Sequence, residues 1–172
     1  LGAYNDFRIT AIGASLIKPR WTLTVFEAIE RSGALSICDN AETALFFISR
    51  GSGENKDNRP IKGEYYLTDE EKAALSEAAA KYKNLIIILN TGYPIEMGFI
   101  RGLGASAIIW TGFSGQRGSE SLIGILCGKV NPSGRLADTW PIDYYDSPSA
   151  KNFINLDDNS PLYSDDGKRF GA

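Results

Sequence analysis

Short β-rich segments alternate with stretches of helical spacing along this chain. Four runs have strand length: Phe7 to Ile12 (FRITAI), Ala44 to Ser49 (ALFFIS), Leu85 to Leu89 (LIIIL) and Ala105 to Trp110 (ASAIIW). The evenly apolar Leu85 to Leu89 predicts a central parallel strand covered on both faces. Between the runs, Thr22 to Arg31 carries Val25, Phe26, Ala28 and Ile29 at helical spacing and stops at Gly33. Thr68-Asp69-Glu70-Glu71 is a capping box, with the apolar stripe Leu75, Ala78, Ala79 and Tyr82 behind it. Pro94, after Asn90-Thr91-Gly92, is expected to open a short helix, and Ser119 to Cys127 another.

This alternation implies an α/β fold: a doubly wound, mostly parallel sheet with helices on both faces, an α/β sandwich with flavodoxin-like layers. Functional loops are then expected at the C-terminal ends of the strands. After Gly128 the run NPSGRLADTWP predicts a turn and an edge strand, and from Asp143 onward the chain is rich in Asp, Asn, Ser and Pro. Residues 1–142 are therefore expected to form one α/β domain and residues 143–172 an irregular C-terminal extension or linker.

Composition narrows the chemistry more than the fold. With 43% hydrophobic and 23% charged residues the chain has the make-up of an ordinary globular domain. A net charge of −3 without a Lys/Arg cluster argues against nucleic acid as a partner. The longest strongly apolar run, Leu85 to Leu89, is far below the ~20 residues a membrane span requires, so no membrane partner is expected. Cys38 and Cys127 lack Cys-x-x-Cys spacing and stand in apolar surroundings, which predicts buried free thiols. The start, Leu-Gly-Ala-Tyr, fits a chain cut from something longer. There is no histidine, which removes Ser-His-Asp and Cys-His catalysis and most catalytic zinc sites. Chemistry must come from carboxylates, lysine, tyrosine or backbone, with no metal and no cofactor implied.

Four segments in order resemble the second domain of family 3 glycoside hydrolases, over roughly Pro19 to Pro141. Phe46 to Leu67 (FFISRGSGENKDNRPIKGEYYL) is similar to that family's strand, its Ser-Gly-Glu-Gly and Asp-Arg loop, and its Lys-Gly-x-Tyr/Phe-Tyr-Leu run. Leu89 to Pro94 is similar to its Leu-Asn-x-Gly-x-Pro turn, Trp110 to Gln116 to its Trp-x-x-x-x-Gly-Gln loop, and Asn131 to Leu136 with Thr139-Trp140-Pro141 to its closing motif. Asn55 stands where the family usually has Gly, Ala137 replaces a common Pro, and the stretch from Gly33 to Ala44 is short for the family. The resemblance implies a six-stranded α/β sandwich that packs against a separate (β/α)8 barrel, here the missing partner domain of the same parent protein. It implies a retaining β-glycosidase, bacterial and either cytoplasmic or secreted, acting on a β-glucoside or oligosaccharide.

Glycoside hydrolysis needs two carboxyl groups. The resemblance gives Glu54 the role of general acid and then general base, and assigns the nucleophile to an Asp on the barrel; the chain alone is then inactive. By residue type alone Glu54 would be a solvated loop charge. Ser15 is a candidate sugar contact, or a simple loop serine. Arg50 and Asp57 are candidates to brace the acid loop as an ion pair, against the ordinary reading of solvated charges. Trp110 and Trp140 are expected in the core, with sugar platforms as the alternative. A runner-up of another class is a flavodoxin-like module holding a phosphorylated ligand at the glycine-rich loop Thr111 to Ser121, although no Walker pattern or Gly-x-Gly-x-x-Gly is present. A third keeps the family and drops catalysis.

Overall fold

A computed structural model of the chain describes residues 18–51 and 58–150. The strand expected at Phe7 to Ile12 lies outside the described residues. Three strands form one parallel sheet in the order β1 (Thr43–Ser49), β2 (Asn84–Asn90), β3 (Ala107–Trp110). The β1–β2 register runs from Thr43 opposite Asn84 to Ser49 opposite Asn90, and the β2–β3 register from Ile86 opposite Ala107 to Leu89 opposite Trp110. The central strand is the apolar run the sequence marked: Leu85, Ile87, Ile88 and Leu89 are all buried.

Because successive strand residues face opposite ways, β2 supplies two cores. Ile88 joins Leu23, Val25, Ala28, Ile29, Leu122 and Ile123, which belong mostly to α1 (Val25–Ser32) and α4 (Gly118–Leu126). Leu85, Ile87 and Leu89 join Ile48, Leu67, Ile95, Leu75 of α2 (Asp69–Lys81) and Ile100 of α3 (Gly98–Gly102). Helices thus cover both faces, the expected layering of an α/β sandwich. Local sequence sets the helix ends. Thr68 caps α2 and Glu71 reaches back to it, and Thr24 with Glu27 makes a second capping box at α1, ended by Gly33 at φ 60. Within the described residues no helix is long and apolar enough to cross a membrane.

Several local expectations fail, each for a tertiary reason. No helix opens at Pro94: the backbone N–H of Glu96 donates to Tyr65 O at 2.8 Å, and its carboxylate accepts from Leu67 N and pairs with Lys72, both at 3.0 Å. These bonds hold the segment after Pro94 out of a helix and delay α3 to Gly98. The edge strand expected in NPSGRLADTWP does not form, and residues 131–139 are exposed with no strand partner among the described residues. Cys38 and Cys127 are free thiols, but Cys38 is exposed and Cys127 half-buried, because the stretch after α1 runs over the surface. The 3-10 helix Tyr144–Asp146 lies beside Tyr65, whose hydroxyl donates to Pro141 O at 2.9 Å and whose ring meets Tyr144 edge-on.

The largest correction concerns Arg50, which is buried and not a solvated charge; its suggested partner Asp57 lies outside the described residues. Arg50 is 6% exposed at the end of β1, and its guanidinium grips Glu71 with both nitrogens, Nη1 to Oε1 at 2.8 Å and Nη2 to Oε2 at 2.6 Å. The same Glu71 Oε2 accepts from the Thr68 backbone at 2.9 Å, so one carboxylate caps α2 and neutralises a buried cation. Burial alone would push the Glu71 carboxyl up, but hydrogen bonds from Arg50 and Thr68, with the guanidinium charge, outweigh it and hold it below its ordinary value.

Two outcomes follow from this packing. Leu75→Ala, at a fully buried position, should cost about 2–5 kcal/mol in urea unfolding, whereas Glu77→Ala on the exposed side of α2 should stay within about 0.5 kcal/mol. Since the folded pKa of Glu71 is depressed, its contribution is complete above the ordinary carboxyl pKa and is lost as pH falls through the folded one. Glu71→Gln should therefore destabilise by about 1–3 kcal/mol at neutral pH, and its gap from wild type in unfolding midpoints should close on acidification.

Candidate active site

The C-terminal ends of the three strands make one edge of the sheet, and the loop that bears Glu54 leaves and re-enters the described structure there. Glu54 itself, with Asp57, lies outside the described residues, as does Ser15. What the structure defines is how both ends of the loop are held. On the outgoing side the Arg50 backbone N–H donates to Asn90 O at 3.0 Å, continuing the β1–β2 ladder one residue past Ser49. Gly51 O then accepts from the Tyr93 hydroxyl at 3.3 Å. Burial, then the nearby Glu64 charge, pushes the Tyr93 phenol up, so it stays protonated and donates.

On the returning side the Asn58 amide donates to Pro94 O at 3.1 Å. Gly51 and Asn58 are therefore both seated on the turn that follows β2. Arg59 next meets Glu64: its backbone N–H donates to Oε2 at 3.0 Å, its Nε donates to both carboxylate oxygens at 3.0 and 3.1 Å, and its Nη2 contacts Oε1. Glu64 is also the residue whose backbone carbonyl accepts from Arg50 Nε at 2.9 Å. One connected series, Glu71, Arg50, Glu64 and Arg59, links the helix cap to both ends of the loop.

Trp110 and Trp140 meet at the neighbouring end of β3, ring centroids 5.8 Å apart and nearly perpendicular. Trp140 packs on the core beneath α2 and α3, but Trp110 is 37% exposed and only partly a core residue. Its indole N–H donates to Thr91 O at 2.6 Å, which fixes the ring against the turn after β2. Gly112, at φ 58, turns the chain back directly beneath that ring.

The start of α4 offers a different environment. Ser119 is buried and its hydroxyl donates to Leu23 O at 2.9 Å. Glu120, in the first turn, pairs with Arg117 at 2.9 Å and is held below the usual carboxylate range by that hydrogen bond. The positive end of this helix thus already faces a carboxylate of its own chain. Among the described residues no group of three His, Cys, Asp or Glu is arranged to hold a metal.

Sequence reasoning missed the roles of Glu64, Glu71, Tyr93 and Asn58 at this edge. The capping-box pattern located Glu71 but carried no sign of its second partner, 21 residues away. The charges of Arg59 and Glu64 are visible as charges, yet nothing in their five-residue separation outside a helix indicates that they meet.

The chain can now be set beside known proteins. The family model described as "Glycosyl hydrolase family 3 C-terminal domain" matches residues 4–168. A β-glucosidase of Ruminococcus albus is 38% identical over 128 residues, which is 74% of this chain and 13% of that protein. β-Glucosidase A of Butyrivibrio fibrisolvens is 31% identical over 143 residues, covering 69% of this chain and 17% of that protein. The structure of β-glucosidase 3B from Thermotoga neapolitana in complex with α-D-glucose matches with a TM-score of 0.72 at 25% identity, over 83% of this chain and 27% of that one. The chain spans less than a fifth of the length of these two curated relatives. With a family match across nearly all of its length and the same α/β layering as a solved member, the chain belongs to glycosyl hydrolase family 3, as its C-terminal domain.

Proposed function

We propose that this domain belongs to a retaining β-glucosidase and that Glu54 is the general acid/base. The protonated Glu54 carboxyl donates to the glycosidic oxygen as the bond to the anomeric carbon breaks, and the resulting carboxylate then takes a proton from the attacking water. The nucleophile is an Asp of a (β/α)8 barrel in the same parent protein, so the active site is shared and the isolated chain is inactive. The substrate is a β-glucoside or an oligosaccharide of that linkage, and Ser15 is a sugar contact. Metal and cofactor have no part in these steps.

The observation that carries this reading is the seating of the loop. Both its ends, Gly51 and Asn58, are fixed at the C-terminal edge of a parallel sheet, where ligands of open α/β sheets bind. A general acid must be held within hydrogen-bond reach of a developing alkoxide, and a loop with anchored ends meets that demand better than a free one. Family membership and relatives named β-glucosidases support the substrate class, as does the glucose bound in the Thermotoga enzyme.

In the full-length parent enzyme, Glu54→Ala should lower kcat/KM for an aryl β-glucoside with a poor leaving group by about 10²–10⁴-fold, and much less for one with a good leaving group. Azide should restore turnover and give a β-glucosyl azide. Equal losses on both substrates, or none, would remove Glu54 from the acid/base role.

A further inference from the structure

Resting on the acid/base reading of Glu54, we infer that the ion pair Arg59–Glu64, continued through Arg50 to Glu71, is the device that positions the general acid. Four observations converge on it. First, the two arginines stand at the two ends of the loop: Arg50 precedes Gly51 and Arg59 follows Asn58. Second, both are tied to the same residue, Arg50 through the backbone carbonyl of Glu64 and Arg59 through its carboxylate. The loop is therefore closed at its base by the side chain and the backbone carbonyl of Glu64.

Third, the series is anchored in the rigid part of the fold. Arg50 is buried against Glu71 of the α2 cap, and the Glu64 side chain is itself only 17% exposed. Displacing Arg59 would take from the largely buried Glu64 carboxylate the guanidinium that grips it, which its desolvation resists. Fourth, the charges alternate, negative on Glu71 and Glu64 and positive on Arg50 and Arg59, and cancel. A base of this kind holds the loop ends by paired charges that sum to zero. Arg59 and Glu64 touch the reaction only through the loop and are positioning residues.

The test uses the full-length parent enzyme with Glu64→Gln, Arg59→Ala and the conservative Arg59→Lys, beside Glu54→Ala, each first shown to be folded by its thermal midpoint. Glu64→Gln and Arg59→Ala should lower kcat/KM on the poor-leaving-group glucoside by about 10–100-fold, with less than about a 3-fold change on the good one. Arg59→Lys should recover part of the loss. Adding Glu64→Gln to Glu54→Ala should cost nothing further on the poor substrate, because the group being positioned is already gone. Equal losses on both substrates, or additive losses in the double variant, would overturn the positioning role while leaving Glu54 intact. A Glu54→Ala enzyme indifferent to the leaving group would instead remove the acid/base reading and this inference with it.

Discussion

A guanidinium that is removed from water must find its hydrogen bonds inside the protein, and Arg50 finds them at three separate points of the chain. Ser49 O and Glu64 O accept from it, and the Glu71 carboxylate takes its other two bonds face to face. Leaving such a charge buried without its partners costs several kcal/mol. That single demand therefore fixes the end of β1, the path of the segment returning from the loop, and the start of α2 relative to one another. The capping box of α2 is drawn into the same arrangement, since Glu71 serves the helix N-terminus and the cation together.

The apolar core explains why this polar junction stays where it is. β2 is sandwiched between two clusters, one built with α1 and α4 and the other with α2 and α3, so the sheet is packed against both layers. At its C-terminal end the loops emerge, and the turn after β2 becomes a platform. Tyr93 and Pro94 receive the two ends of the loop after β1 there, and Thr91 O receives the Trp110 indole. Rigid strands deliver the ends of a loop whose chemistry lies beyond the sheet, the division of labour expected of α/β folds.

Within the proposed enzyme this arrangement separates two requirements that conflict in one place. Holding a loop firmly calls for ion pairs and buried hydrogen bonds, whereas a general acid needs an environment that does not favour its charged form. The alternating series at the base of the loop provides the first without imposing a net charge.

The sequence by itself determined the layering and the place of the three described strands. The run Leu85 to Leu89 announces a central strand, the Thr-x-x-Glu pattern at Thr68 places the start of α2 to the residue, and the family motifs single out Glu54. These signals are local: hydrophobic period and capping chemistry act over a turn or a strand. Only the tertiary structure decided that Pro94 opens no helix, because Glu96 bonds to Tyr65 and Leu67 across the fold, and that NPSGRLADTWP forms no strand. It alone decided that Arg50 is buried on Glu71, and that Glu64 joins both ends of the loop after β1. Those outcomes depend on partners five to more than thirty residues away, whose meeting is set by packing in three dimensions and leaves no periodic trace in the chain.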